Sequence, residues 1–343
     1  MTARAAVSKT EEAALARAHP LTQFGFDALV AGAARPRPGG LAFSDDLDGV
    51  VEEVTYADLY QRVGACLSRL RSFDFARGEK VLLCAPPGAQ SFVALTSALA
   101  AGLAPVMAPM PLPQLRDAIA RSAKEQLVSA LLAPAQFCGV DFEAVLFDIA
   151  ADTPSIRLIG ALHGALDGAA DFSAQALASQ GAPRVRLSDD WTSDERLLVG
   201  ALDDRGHIDF ASQGALLGAA LDLIRATRAA REAPILSLCA PSSLAALAAG
   251  PLAALLAGAP LHFLAPFTAA RFLATLDALG PARLVAPASI LADLDRSGLL
   301  DSGAVVAVAA LCNRSNIAPL DIAAPCPIVE LHYREGALIT RRL

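Results

Sequence analysis

Aromatic side chains are scarce in this chain: they make up 5% of its 343 residues, with a single tryptophan. A core built without them must use many small contacts, and alanine supplies much of the 54% hydrophobic content. No CxxC pair is present, and the six cysteines (Cys66, Cys84, Cys138, Cys239, Cys312, Cys326) are scattered. That pattern excludes a disulfide framework and a zinc ribbon, and reduced, mostly buried thiols are expected. The five histidines show no HxxxH or other ligand spacing, so no metal site is expected. Basic charge is in deficit: 28 Lys and Arg against 35 Asp and Glu give a net charge of −7. A nucleic-acid partner normally meets a basic face, and an anionic membrane surface attracts one, so both are disfavoured. The segment 1–9 has no apolar run, so a secretory leader is not expected and a cytoplasmic location is.

Two long stretches, 81–115 and 233–270, are poor in charge and long enough to span a bilayer, which takes about 20 residues. Prolines interrupt both, at Pro86, Pro87, Pro105 and Pro109 and at Pro241, Pro251, Pro260 and Pro266. Much of each is Ala, Gly and Ser. A strand–helix–strand buried in an α/β core produces the same run, so no transmembrane segment is expected.

Along the chain, apolar spacing predicts a helix within 22–34, then a hairpin around Asp45–Gly49. Thr55 with Asp58 three residues on marks a helix start, and Leu59, Val63, Cys66, Leu67 and Leu70 form its apolar face. From Val81 the pattern is strand–helix–strand–helix–strand to Pro134, and it recurs from Leu236 to Pro287. Val81-Leu82-Leu83-Cys84-Ala85-Pro86 is matched by Leu236-Ser237-Leu238-Cys239-Ala240-Pro241. Each such unit predicts parallel strands with right-handed crossovers. The fold expected is therefore α/β, with two similar subdomains of mainly parallel sheet flanked by helices. Its expected boundaries are a tail at 1–20, a first subdomain at 21–159, a Gly/Ala-rich linker or excursion at 160–188 and a second subdomain at 189–343.

Several segments resemble the adenylate-forming superfamily of acyl-CoA synthetases and fatty acyl-AMP ligases, over residues 20–340. Val54-Thr55-Tyr56-Ala57-Asp58-Leu59 is similar to its Leu-Thr-Tyr-x-Glu-Leu opening. Gly78-Glu79-Lys80-Val81 with Pro86-Pro87-Gly88 is similar to its Gly-Asp-Arg-Val and Pro-Pro-Gly. Ala101-Gly102-Leu103-Ala104-Pro105-Val106 resembles its Ala-Gly-x-x-x-Val-Pro, and 252–267 its Leu-Leu-x-Gly-Ala helix and strand. The resemblance implies the large N-terminal domain of such an enzyme.

It also implies where chemistry should stand. The family's Thr-Ser-Gly-Thr-Thr-Gly-x-Pro-Lys-Gly loop wraps the ATP phosphates, which takes glycines, hydroxyls and a cation. The matching stretch runs from Gly200 to Ser212. Leu202, Asp203 and Asp204 stand where small hydroxylated residues and glycine belong; Gly206 precedes His207, which replaces the lysine. Two carboxylates there would repel a triphosphate. The adenine- and magnesium-contacting Tyr-Gly-x-Thr-Glu corresponds to Leu331-His332-Tyr333-Arg334-Glu335, in which only Glu335 is kept. The family's ribose-binding aspartate, hinge and small C-terminal domain with its catalytic lysine find no counterpart before Leu343.

Read on residues alone, Asp203-Asp204 with His207 and Asp209 is the densest polar cluster. It is either a metal or hydrolytic site or, more blandly, a solvated Asp-Asp-Arg-Gly hairpin turn. Ser237, Ser242 and Ser243 lack a Gly-x-Ser-x-Gly elbow and read as helix caps. The expectation is an adenylate-forming-like pseudoenzyme with no catalytic residue and no required cofactor. It would bind an acyl or carrier-linked ligand, or serve as accessory to a complete acyl-activating enzyme, through a pocket near Ser242, Ser243, Tyr333 and Glu335. The rival readings are a ligase subunit completed by a separate C-terminal domain and a structural assembly module.

Overall fold

The computed structural model describes residues 20–47, 49–110, 112–179, 187, 197–203, 206–228, 233–312, 322, 324–334 and 337–342. In chain order the strands are β1 (Leu41–Leu47), β2 (Val50–Thr55), β3 (Lys80–Cys84), β4 (Ala104–Ala108), β5 (Val128–Ala133), β6 (Gln136–Phe137), β7 (Val140–Asp141), β8 (Leu158–Ala161) and β9 (Ala170–Asp171). There follow β10 (Leu198–Leu202), β11 (Ile208–Ser212), β12 (Ile235–Ser237), β13 (Leu261–Ala265), β14 (Ala282–Pro287), β15 (Val305–Leu311), β16 (Ile328–Arg334) and β17 (Ala337–Arg342).

Two large sheets result, of orders β11-β10-β4-β3-β5-β8-β9 and β17-β16-β15-β14-β12-β13-β1-β2. Both are parallel except at the hairpins β10–β11, β1–β2 and β16–β17. In β4-β3-β5 and in β13-β12-β14 the first strand of the segment lies between the second and third. The segments 80–133 and 235–287 thus share one strand order.

Strand alternation sorts the apolar residues into three layers of core. Val81 and Leu83 enter the central core, while Leu82 and Cys84 face the outer side of the first sheet. Leu236 and Leu284 likewise face an outer core, and Ile235 and Val285 the central one. Between the sheets lies helix Ala89–Ala100, buried from Ala89 to Leu99 and apolar or small on all sides, as a helix with no solvent face must be. Among its polar groups, Ser97 Oγ donates to the Val63 carbonyl at 3.0 Å, Ser91 Oγ to the Pro86 carbonyl at 2.6 Å and Gln90 Nε2 to the Phe172 carbonyl, while Thr96 Oγ1 meets no partner among the described residues. Helix Tyr56–Arg71 begins as expected, with a capping box in which Thr55 and Asp58 exchange side-chain and backbone bonds. Its predicted apolar face is buried.

Sheet membership departs from the expected boundaries. β1 and β2 precede the first unit in sequence yet pair in the second sheet, with Phe43 opposite Leu261. Phe43 is completely buried and packs edge-on against Phe92 and beside Phe263. β10 and β11, expected in the second subdomain, extend the first sheet through Gly200 opposite Val106. The stretch 160–188, expected as a linker or excursion, supplies β9, the end of β8 and helix Ala174–Ser179. Its periodicity is weak because Gly160 does packing work: a Cβ there would stand 2.4 Å from Leu132 Cδ2 and 2.7 Å from Phe172 Cδ2.

One buried acid ties β1 of the second sheet to the helix that follows β3 of the first. Gly88, at φ +123°, offers helix Ala89–Ala100 no side-chain cap, and Asp45 from β1 accepts the Ala89 N–H at 2.8 Å instead. A Cβ on Gly88 would stand 2.9 Å from that same Asp45 oxygen, so glycine is required there for both reasons.

No described helix is long and apolar enough to cross a membrane. Most of the described residues in the apolar runs 81–115 and 233–270 instead form buried strands and helices of the core, among them β3, β4, β12, β13 and helix Ala89–Ala100.

Candidate functional site

A cavity of about 490 Å³ opens where the strands of the second sheet end. In open parallel sheets, ligand crevices form beyond the carboxyl ends of the strands. Three sides define this one. Leu238, Cys239 and Ala240 follow β12; Pro287, Ala288 and Ser289 follow β14; Leu311 and Cys312 close β15. The hairpin β10–β11 forms the facing wall through Ala201, Leu202, Asp203 and Asp209, with Pro109 beside it and Tyr333 at the floor.

The hairpin is a regular antiparallel pair from Leu198 opposite Ser212 to Leu202 opposite Ile208. Its tip is tied to the Asp203 carboxylate, which accepts the His207 N–H at 2.8 Å, while Asp203 N–H donates to the His207 carbonyl at 2.9 Å. Gly206 takes the positive φ (+86°) that this turn requires. Asp209 Oδ1 lies 3.5 Å from His207 Nδ1. Gly200 is a strand residue, and a Cβ there would press within 2.9 Å of the Phe210 ring. Ser212 caps helix Gln213–Thr227 by accepting the Ala215 N–H. Tyr333 Oη donates to the Phe210 carbonyl at 2.7 Å, pinning the hairpin to the second sheet.

On the opposite wall Ser243 caps the helix that begins at Leu244, accepting the Ala246 N–H at 3.1 Å. Ser237 does not cap; its hydroxyl donates to the Cys239 carbonyl at 3.0 Å. Cys239 borders the cavity, but burial pushes its thiol up to about 12, which leaves it a poor nucleophile at neutral pH. Burial likewise pushes Cys84 and Cys66 up to about 12. No disulfide joins the cysteines.

Of the residues expected to matter, the structure gathers Leu202, Asp203, Ser242, Ser243 and Tyr333 around one cavity. Gly200, Gly206, His207 and Ser212 belong to the same hairpin but do not line it. Asp204 and Glu335, with Arg205 and Arg314, lie outside the described residues. Among the described residues, those lining the cavity include two carboxylates and no lysine or arginine. At the cavity's edge, among the described residues, Cys312, Glu330 and His332 bring their ligand atoms within 4.8 Å of one another. Sequence spacing did not reveal the group, because two of its members stand two apart on β16 and the third follows the end of β15.

No family model matches the chain. Over 144 residues it is 32% identical to the salicyl-AMP ligase / salicyl-S-ArCP synthetase of Mycobacterium tuberculosis (strain ATCC 25618 / H37Rv). That match covers 41% of this chain and only 24% of the relative, about a quarter of its length. A Rhodopseudomonas palustris CGA009 structure assigned as a long-chain-fatty-acid CoA ligase superposes with a TM-score of 0.72 at 17% identity, covering 93% of this chain and 79% of that one. The apo structure of MbtA from Mycobacterium smegmatis gives 0.71 at 18% identity, covering 90% and 56%. The anthranilate CoA ligase AuaEII, solved with anthranoyl-AMP, gives 0.68 at 14%, covering 86% and 56%.

Proposed function

We propose that this chain, which carries the N-terminal-like domain of the adenylate-forming superfamily, acts by binding an acyl ligand and does not adenylate it. The observation that carries the reading is the hairpin at 198–212. A phosphate cradle needs backbone N–H groups and a cation turned toward the ligand. Here the His207 N–H is spent on Asp203, and the Asp203 N–H on the His207 carbonyl. The cavity wall carries Asp203 and Asp209 instead of a lysine.

Adenylation draws its rate from donors and metal aimed at charge developing on the α-phosphate, and loss of a single such donor costs about 2.7–4 kcal/mol. Two carboxylates on the wall work in the opposite direction. An acyl group faces no such penalty. The described walls are largely Ala, Leu and Pro, and the volume falls within the range of small-molecule sites. A free acid, a thioester or a carrier-linked acyl group would each place its apolar part there. The common strand order of 80–133 and 235–287 is read as a duplicated unit, whose two copies set the hairpin wall and the β12–β15 wall against each other.

Two measurements test the reading together. Pyrophosphate exchange with ATP and a panel of fatty and aryl acids is expected to stay at background. Thermal shift is expected to rise with an acyl ligand and not with ATP, since a ligand that binds only the folded state raises the melting temperature. Exchange above background from the purified chain would overturn the non-catalytic reading. No shift with any acid or thioester would overturn the binding one.

A further inference from the structure

Glu330 and His332 stand two apart on β16, so their side chains leave the same face of the second sheet. That face is the outer one: Ile328 packs in the outer core, whereas Val329 and Leu331 turn into the central core. β15 runs alongside with Leu311 opposite Leu331. One residue further on, the Cys312 N–H donates to the Leu331 carbonyl at 3.0 Å, which carries the Cys312 side chain to the outer face beside the pair.

The spacing is that of a ligand set. His332 Nε2 and Glu330 Oε2 are 3.2 Å apart. Nitrogen and oxygen ligands at about 2.0–2.1 Å from a tetrahedral zinc are themselves separated by about 3.3 Å. The sulfur, bonded at about 2.3 Å, would sit about 3.6 Å from each. Since all three ligand atoms lie within 4.8 Å of one another, Cys312 has about an ångström to close, which a χ1 adjustment covers.

The electrostatics favour a cation. Glu330 is 2% exposed, and among the described residues the guanidinium of Arg341 approaches its Oε2 only to 3.9 Å, from a side chain that is 59% exposed. A buried carboxylate needs charge compensation and hydrogen bonds, or a metal. Arg341, being exposed, can swing away when a cation enters. One thiolate, one imidazole and one carboxylate form a soft-to-borderline set that suits zinc and not magnesium or calcium.

We propose that Cys312 Sγ, Glu330 and His332 Nε2 bind a zinc ion on the outer face of the second sheet, with the fourth position left to water or a ligand. Binding forms the sulfur–zinc bond and releases the thiol proton to solvent. Cys312 also lines the cavity, so the ion would sit at the cavity's edge. This inference does not depend on the chain being non-catalytic.

The test uses the whole chain, stripped with a chelator and titrated with Zn²⁺ against a chromophoric chelator, and in parallel with Co²⁺ as a spectroscopic probe. One zinc per chain is expected, together with a thiolate-to-cobalt charge-transfer band. Cys312→Ser and His332→Gln are each expected to weaken zinc binding at least tenfold, and Cys312→Ser to abolish the band. Cys138→Ser, far from the cluster on the hairpin β6–β7, is expected to change neither. The wild-type chain failing to bind zinc, or binding cobalt with no thiolate band, overturns the proposal. So does a band that survives in Cys312→Ser. Melting curves of the metal-free variants separate loss of the site from loss of the fold, and the wild-type spectrum decides the matter if a variant does not fold.

Discussion

Replacing Asp45 by asparagine should make the chain's stability less sensitive to pH, and the size of the effect follows from its surroundings. Asp45 is 2% exposed, and its Oδ1 meets no hydrogen-bond partner among the described residues. Burial, chiefly, pushes its pKa from 3.8 up to about 7, with Glu52 adding to the rise and the Ala89 N–H and Arg62 opposing it. Between about pH 4 and pH 7 the folded chain therefore holds a proton that the unfolded chain has released. Stability is full below pH 4 and falls with rising pH by about 1.36 kcal/mol per pH unit, to a total of about 4 kcal/mol by pH 7. The substituted asparagine would still accept the Ala89 N–H, through its amide oxygen, and would not titrate. Urea unfolding of both chains at several values between pH 4 and pH 8 reads the difference directly, because other titrating groups largely cancel. The advantage of Asp45→Asn over wild type should grow across that window and level off above it. Parallel profiles, with a constant gap from pH 4 to pH 8, would refute the argument that burial holds the proton on.

Three further substitutions probe the packing and the site. Gly160→Ala forces a methyl against Leu132 and Phe172 and should cost about 1–3 kcal/mol in denaturant unfolding, the usual range for overpacking. Gln213→Leu removes the buried acceptor of the Phe26 N–H, now bonded at 3.0 Å; leaving that donor orphaned should cost about 1–3 kcal/mol in the same assay. Tyr333→Phe deletes the bond that pins Phe210 and should cost about 1 kcal/mol, with amide exchange accelerated in β10 and β11 and not in β3 or β5.

Local pattern carried much of the fold into view. The start of helix Tyr56–Arg71 was legible because a capping box is a four-residue signal, and the hairpin at 45–49 because Asp and Gly mark a turn, where Gly49 indeed takes a positive φ (+80°). The strand–helix alternation was legible because parallel strands buried on both faces read as unbroken apolar runs. What no window contained was partnership. β1 lies more than two hundred residues from β13, and nothing within Leu41–Leu47 distinguishes a place in the first sheet from one in the second. In 160–188 the buried Leu162, Leu166, Phe172 and Leu177 are spaced irregularly, and Gly160 packs closely by lacking a side chain, so the stretch shows no clear period.

The site divides along the same line. That Asp203 and its neighbours form a turn was readable, since Asp and Gly at a hairpin tip have a local mechanism. That this turn faces Ser242, Ser243 and Tyr333 across a cavity depends on the first sheet ending in β10–β11 and the second presenting the carboxyl ends of β12, β14 and β15. The cavity is therefore a property of how two sheets meet. A sequence can keep the sheets, and hence the cavity, while changing the few residues at the hairpin tip that a phosphate would touch. On the proposed reading, fold and chemistry rest on different residues, Phe43, Val81 and Ile235 in the core on one side and Asp203 and His207 in the hairpin on the other. On that reading, substitution at the second set leaves the first untouched, so the same architecture persists with a hairpin whose Asp203 and His207 N–H groups bond within the hairpin.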